Sequence, residues 1–166
     1  MEIKVHGTFL DTMQTIQKIV ENNFFENLSR ELDIYSIYID DCDVSNLIKL
    51  GYAGIQSFIS AYENDELEKD LNVYMACIEH GMACSVESAI NYVDNKFIDC
   101  APFDDDFFKG RFAQEKADEY IQSITNDSDK IKQITAYFNY AQYERDMFLS
   151  AYSFIESNKT QYIFEN

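Results

Sequence analysis

The segment Asp33-Ile-Tyr-Ser-Ile-Tyr-Ile39 runs directly into the acidic stretch Asp40-Asp41-Cys42-Asp43. β-branched and aromatic side chains dominate the segment, which predicts a β-strand. The acidic stretch is rich in residues typical of turns, so it predicts an exposed end to that strand. Because segments with helical periodicity follow, the chain is predicted to have an α+β fold without a regular βαβ rhythm.

Toward the N-terminus, the sequence predicts one short strand and one long helix. Residues 3–5 are typical of a strand, with Gly7 in it or just after it. Asp11 and Thr12 offer a helix N-cap, and the helix is predicted to continue to residue 31. Its predicted inner face consists of apolar residues at helical spacing: Met13, Ile16, Ile19, Val20, Phe24 and Leu28.

Toward the C-terminus, predicted helices alternate with short strands. Ser85 is the predicted N-cap of a short helix, and Gly81 is the predicted C-cap of the helix before it. Two strands form a predicted hairpin around Asn158 and Lys159. The other predicted helices cover residues 53–62, 66–80, 110–124, 129–134 and 140–150, and the strands cover residues 96–100, 152–155 and 161–164.

The chain has no linker rich in Gly, Ser or Pro, so short turns must separate its parts. We expect an elongated molecule of two to three small modules. Residues 1–32 form a strand–helix module, residues 33–80 a central acidic module, and residues 81–166 a C-terminal module.

A large acidic surplus accompanies enough apolar sequence to form a core. The 166 residues include 30 acids and 13 Lys or Arg, which gives a formal net charge of -17, while 46% of residues are hydrophobic. A disordered acidic segment would lack such apolar content, so the charge is predicted to lie on a folded surface. B-DNA carries one negative charge per ~1.7 Å of helix axis, so this charge corresponds to roughly 29 Å of duplex.

The net charge argues against several partners, and the distribution of apolar residues argues against several compartments. Direct binding to nucleic acid and to anionic membranes is disfavoured, because both surfaces are negatively charged. The sequence has no run of 18 apolar residues and no apolar segment of signal-peptide length at its start. A cytoplasmic protein is therefore predicted, with its four cysteines as reduced thiols.

Catalytic and metal-binding patterns are weak in this sequence. It contains no GxGxxG, GxxxxGK[ST], HExxH or GxSxG motif. Asp41, Asp43 and Ser45 begin like a calcium loop, but the later positions of such a loop lack its glycine and glutamate. Cys77, His80 and Cys84 lack an evident fourth ligand for zinc, so structural cysteines are the preferred interpretation. No enzyme activity, metal or cofactor is predicted.

The segment Tyr137-Phe-Asn-Tyr-Ala-Gln-Tyr-Glu-Arg-Asp-Met-Phe148 resembles the C-terminal pattern of the ArdA antirestriction proteins. Asn139 stands where that pattern has an acid, and Met147 stands where it has Leu. Two further stretches, residues 33–41 and residues 78–90, are similar to segments of the same family. The matching positions of the C-terminal pattern are Tyr137, Phe138, Tyr140, Tyr143, Arg145 and Asp146.

The resemblance implies a non-enzymatic DNA mimic. Members of that family are elongated acidic homodimers that occupy the DNA groove of type I restriction-modification enzymes, and conjugative elements and phages encode them. Gly7-Thr-Phe9 lies almost at the start of this chain, which implies a trimmed first module. The C-terminal pattern would serve folding or dimerisation.

Charge spacing then selects the carboxylates that would stand in for DNA phosphates. If one helix continues from residue 63 to residue 70, its three acids share a face, and three acids after residue 114 share another. The alternative is that each cluster is only a solvated helix face. The predicted phosphate mimics are Asp40, Asp41, Asp43, Glu63, Glu66, Asp70, Asp104, Asp105, Asp106, Glu115, Asp118 and Glu119.

Three other functions stay open at this point. The mimic could be directed at another DNA- or RNA-handling defence complex, such as a CRISPR effector. The chain could instead be an acidic adaptor or antitoxin-like protein that binds a basic partner outside any nucleic-acid groove. A small metal-dependent enzyme is the fourth reading, and it has the least support in the sequence.

Overall fold

The computed structural model describes residues 2–20, 24–25 and 32–166, and the chain divides into two compact units, Met1–Asn95 and Lys96–Asn166. Both units combine a small antiparallel sheet with helices, so the fold class is α+β, as predicted. The predicted module limits after residues 32 and 80 both lie inside the first unit. In the described ranges, no helix has both the length and the apolar character needed to cross a membrane.

In its described residues, the first unit holds four strands, a short 3₁₀ helix and three α-helices. The strands are β1 (Ile3–Phe9), β2 (Gln14–Val20), β3 (Leu32–Ile39) and β4 (Cys42–Asp43). The 3₁₀ helix covers Ser45–Leu50, and the α-helices are α1 (Gly51–Glu63), α2 (Leu71–Glu79) and α3 (Val86–Lys96).

The second unit holds three strands and three helices. The strands are β5 (Phe97–Pro102), β6 (Tyr152–Ser157) and β7 (Thr160–Glu165), and the helices are α4 (Phe108–Ile124), α5 (Ser128–Tyr137) and α6 (Tyr140–Ser150). The predicted bounds of α6 and the predicted hairpin around Asn158 and Lys159 are confirmed.

The sheet of the first unit has the order β2-β1-β3-β4, with all neighbours antiparallel. The pairing of β1 with β3 shifts between His6 and Gly7, so Tyr35 is the extra residue of a β-bulge. The bulge moves the buried face from Leu32 and Ile34 to Ile37 and Ile39. A Cβ at Gly7 would lie 2.8 Å from the carbonyl oxygen of Asp33, so the close strand approach requires glycine there.

The predicted helix over residues 12–31 is wrong where the chain is described. Residues 14–20 form the edge strand β2, which pairs with β1 along its whole length. The β-branched residues Thr15, Ile16, Ile19 and Val20 favour a strand, and pairing with β1 outweighs their accidental helical spacing. Residues 21–23 and 26–31 of the predicted helix lie outside the described residues.

The core of the first unit lies between its sheet and its helices. Aliphatic side chains of β1 and β3 supply one side, while Phe58 of α1 and Tyr74 of α2 are fully buried on the other. Helix α2 begins at Leu71 and not at residue 66 as predicted, because the Asp70 side chain accepts a hydrogen bond from the Asn72 N–H and caps it there. Gly81 follows α2 with a φ of 70°, as a C-terminal glycine does.

The core of the second unit lies around its central strand. Its sheet has the order β5-β7-β6, and β7 buries four consecutive side chains from Gln161 to Phe164. Helices α4 and α6 contribute Phe112 and Met147 to a cluster with Ile163, and half-buried aromatic residues surround this cluster. The burial of both faces of β7 makes it the structural centre of the unit.

Candidate functional site

The acidic turn between β3 and β4 is a rigid two-residue hairpin turn. Asp40 and Asp41 have φ values of 45° and 66°, which is the pattern of a type I′ turn. Aspartate tolerates this left-handed region better than most non-glycine residues because its short side chain hydrogen-bonds locally. The turn therefore presents two adjacent carboxylates at the surface in a fixed backbone geometry.

The Asp40 carboxylate is hydrogen-bonded to Glu2, just before β1, and to Tyr62 of α1. It accepts a hydrogen bond from the Glu2 N–H at 2.6 Å and another from the Tyr62 hydroxyl at 3.0 Å. These two donors, the Glu2 N–H foremost, lower the pKa of Asp40 below its usual value. The side chain is exposed but fixed in direction, and it stays ionised to a lower pH than an ordinary aspartate.

The other two acids of this turn also have local partners. Lys4 bridges Asp41 and Glu2, with its Nζ 2.7 Å from each carboxylate, and these partners raise the pKa of Lys4. The Asp43 carboxylate accepts hydrogen bonds from the N–H and the hydroxyl of Ser45, where the 3₁₀ helix begins. All three acids of this turn therefore have a local partner, and that of Asp41 is the cation of Lys4.

The predicted helix face of Glu63, Glu66 and Asp70 does not exist. Glu63 ends α1, Glu66 lies in the following turn, and Asp70 caps α2. The helix ends before Asn64 and Asp65, because Asp65 adopts a left-handed backbone conformation with a φ of 56°. All three acids are exposed, but they belong to three different segments.

The acidic run Asp104–Asp106 before α4 contains one ion-paired aspartate between two exposed ones. Asp105 forms a bidentate ion pair with Arg111, with N–O distances of 2.9 and 2.7 Å, and this pairing lowers the pKa of Asp105. The buried Gln161 side chain holds the backbone of the same turn, since its Nε2 donates to the carbonyl oxygens of Pro102, Phe103 and Asp105. Asp104 and Asp106 have no hydrogen bond or ion pair within the described ranges.

The predicted face of α4 is present, and its three acids have different surroundings. Asp118 is half-buried and accepts hydrogen bonds from Tyr140 and Gln114. Glu119 pairs with Lys116 at 2.8 Å, so its charge is compensated. Glu115 is exposed, and no described residue donates a hydrogen bond to it.

The aromatic residues of the C-terminal pattern join α4 to α6. Phe138 contacts the rings of Tyr140 and Tyr143 at centroid distances of 4.9 and 5.4 Å, and Tyr143 stacks on Tyr120. Tyr137 is the exception, because its side chain is 90% exposed at the end of α5. Tyr137 therefore does not belong to the aromatic cluster that the other three residues form.

The remaining positions of the pattern also have local roles. The Asp146 carboxylate accepts from the Gln142 amide at 2.7 Å, one turn earlier on α6, and Arg145 is exposed. Asn139 caps α6 by accepting from the Gln142 N–H, a role that Asp performs equally well. Met147 is buried, and Leu would fill the same volume. In this chain Asn139 and Met147 therefore have local roles that Asp and Leu could also perform.

The cysteines do not form a described metal site. Cys77 is buried, and burial raises the pKa of its thiol to about 12, so it stays protonated. His80 and Cys84 are exposed beyond the end of α2. In the part of the chain that the structure describes, no group of three or more His, Cys, Asp or Glu side chains is placed to hold a metal ion.

A groove between α1 and α3 was not predicted from the sequence. Its volume is about 460 Å³, and its acids are Glu66, Glu87 and Asp94. Glu87 and Asp94 are absent from the predicted set because each looks isolated in the sequence. Their spacing of seven residues is a signal that would have placed them on one face of α3.

Comparison with protein-family models, with curated proteins and with solved structures found no match for this chain.

Proposed function

We propose that this chain is a non-enzymatic DNA mimic that inhibits a defence nuclease by occupying its DNA-binding groove. The observation that carries the proposal is the placement of the predicted carboxylates. Ten of the twelve are exposed, and the other two, Asp105 and Asp118, are half-buried. Exposed carboxylates in fixed positions are what a surface that replaces DNA phosphates requires.

Local hydrogen bonds add preorganisation to this charge. Asp40, Asp43 and Asp70 each accept at least one backbone N–H, so their directions are set before any partner arrives. A carboxylate fixed in this way loses less conformational entropy on binding than one on a mobile side chain. Lys and Arg groups that normally hold phosphates would then pair with these acids.

The resemblance to the ArdA proteins makes a type I restriction-modification enzyme the first target to test. Asn139 and Met147, the two departures from that pattern, lie at positions where Asp and Leu would serve equally well in this chain, which is compatible with the resemblance. The inhibitor would act in the cytoplasm of a host cell, without binding nucleic acid or membranes itself. A CRISPR effector is the second target to test, because its nucleic-acid channels are also positively charged.

A homodimer is part of the same proposal. Helix α5 has no buried residue, although Ile131 and Ile134 lie at helical spacing with the exposed Tyr137. Tyrosine is enriched at protein interfaces because it combines a large apolar ring with a hydroxyl group. A second copy of the chain would cover this apolar strip, and it would double the number of carboxylates on offer.

The experiment is a competition assay between this protein and a labelled duplex for a type I restriction enzyme. Displacement should be strong at low salt and should weaken steeply at high salt, because many ion pairs form together. Failure to displace DNA at either salt would overturn the proposal for this target. The same assay with a CRISPR effector then decides between the second target and an acidic adaptor.

Two variants with equal net charge make the assay specific. The first neutralises four predicted mimics that have no described partner, by Glu63→Gln, Asp104→Asn, Asp106→Asn and Glu115→Gln. The second neutralises four exposed acids outside the predicted set, by Asp33→Asn, Asp65→Asn, Glu68→Gln and Glu165→Gln. Only the first should weaken DNA displacement, and equal weakening would mean that net charge alone acts.

A further inference from the structure

Helices α1 and α3 of the first unit present two matching stripes to the groove between them. On each helix, the lining residues recur at intervals of three and four, which places them on a single face. The stripe of α1 consists of Ser57, Ser60 and Ala61, continued by the C-cap residue Asn64, and the stripe of α3 consists of Glu87, Ile90, Asn91 and Asp94.

The groove is apolar at its base and acidic at its rim. Ala61 and Val86 are buried, so the accessible apolar surface at the base is chiefly that of the half-buried Ile90. Glu87 and Asp94 are exposed along α3, one on each side of Ile90. Among the described residues, the lining includes no Lys or Arg, so the rim attracts a cationic partner.

One end of the groove is fixed by the turn after α1. The Glu66 N–H donates to the Ala61 carbonyl oxygen at 2.9 Å, and the Asn64 amide donates to the Glu66 carboxylate at 3.4 Å. These bonds place a third carboxylate at the end of the groove. The small side chains of Ser57 and Ser60 leave room for another backbone to approach α1 closely.

We propose that this groove binds a basic amphipathic helix of a partner protein. Its apolar side chains would pack on Ile90 above the buried Ala61 and Val86, while its Lys or Arg side chains would pair with the carboxylates of the rim. Insertion of an amphipathic helix between two helices is a common mode of peptide recognition. The mode goes beyond DNA mimicry, because imitation of a phosphate backbone does not require an apolar base.

The probe is a fluorescent synthetic helix of Lys, Leu and Ala whose apolar residues lie on one face. A peptide of the same composition in scrambled order keeps the charge but loses that face. The intact protein should bind the amphipathic peptide at least about tenfold more tightly, a difference of ~1.4 kcal/mol. Equal binding of the two peptides would overturn the proposal, because only charge would then be recognised.

Two variants locate the binding site, and a third serves as their control. Ser60→Tyr fills the groove without changing the charge, and Glu87→Gln with Asp94→Asn removes the carboxylates of α3. Each should weaken peptide binding about tenfold. The matched control, Asp33→Asn with Glu68→Gln, changes the charge equally in the same unit and should have almost no effect. A control effect as large as that of the α3 variant would overturn the assignment to the groove.

NMR and circular dichroism separate binding from folding, and from DNA mimicry. Peptide-induced amide shifts should cluster in α1 and α3, and shifts elsewhere would contradict the proposal. Far-UV spectra of the variants should match the parent, since all substituted side chains are exposed. If the protein fails to displace DNA but binds the peptide in this groove, mimicry fails and the groove assignment stands.

Discussion

The two units carry charge and aromatic residues in opposite proportions. Met1–Asn95 contains 17 acids and five Lys or Arg, a net charge of -12, while Lys96–Asn166 contains 13 and eight, a net charge of -5. The second unit nevertheless holds 15 of the 25 Phe and Tyr residues. The first unit is therefore mainly an acidic surface on a largely aliphatic core, and the second is an aromatic cluster with a milder charge.

This difference changes how the charge distribution is interpreted. A division of the chain at residue 60 assigns most of the net charge, -12, to the C-terminal part. The boundary between the compact units instead assigns the same value to the N-terminal part, because residues 61–95 hold eight acids and one lysine. The acidic surplus is therefore concentrated in the first unit.

The largest expected effects come from substitutions in the two cores, which compare how strongly each unit depends on one buried aromatic side chain. Phe58 and Phe164 are both fully buried, one in each unit. Replacement of either by Ala should lower the free energy of unfolding by about 3–5 kcal/mol, through lost burial and a cavity. Urea unfolding followed by circular dichroism measures both. Tyr137→Ala is the control, and a cost similar to that of Phe164→Ala would contradict its exposed position.

The next effect concerns the turn that Gln161 holds in the second unit. Gln161→Met keeps the approximate shape of the side chain but removes the donor to three carbonyl oxygens. The loss should be about 1 kcal/mol, because three hydrogen bonds to the turn are removed while the Pro102 and Asp105 carbonyl oxygens keep a second backbone donor. Gln133→Met, at an exposed position of α5, should change stability little. A cost below that of this control would show that the turn does not depend on Gln161.

A smaller effect should appear when salt screens the charge of the first unit. The Debye length falls from ~10 Å at 0.1 M to ~3 Å at 1 M ionic strength, which reduces repulsion between exposed carboxylates. Sodium chloride should therefore increase amide protection more in the first unit than in the second, by about 1 kcal/mol or less. Hydrogen exchange by NMR resolves the units separately. Equal protection in both units would contradict the effect of their unequal charge.

The smallest effect is a pH dependence that also separates the units. Arg111 lowers the pKa of Asp105, so this pair stabilises the second unit above the usual aspartate pKa and ceases to do so as the pH falls through the lowered value. Asp105→Asn should therefore flatten the acid side of the stability curve below about pH 4. Thermal unfolding across pH measures this. Asp104→Asn, at an exposed neighbour without a described partner, should leave the curve unchanged.

Local signals in the sequence identified much of the fold. The Asn158 and Lys159 turn and the Asn139 cap are decided by nearby residues, so the last hairpin and α6 could be predicted. Strand β2 could not, because its state depends on pairing with β1 across the sheet. Its apolar residues fit a helical face equally well, and only the partner strand distinguishes the two structures.

The candidate site also has features that local sequence predicts and features that depend on distant residues. Exposure of the acidic turns follows from composition, so most of the predicted carboxylates do lie at the surface. Which of them are paired depends on distant residues, as with Lys4 and Asp41. The groove between α1 and α3 depends on the packing of two helices separated by more than twenty residues, and no local pattern encodes it.

Each unit has one exposed thiol that a reagent can label. Cys84 is exposed in the first unit and Cys100 in the second, while Cys77 is buried and protonated. Burial also raises the pKa of Cys42, which makes that thiol a slower nucleophile. A maleimide reagent at neutral pH would therefore label Cys84 and Cys100 first. One probe would then sit on the acidic unit and one on the aromatic unit, and energy transfer between them would report the distance between the units in solution, with and without a partner.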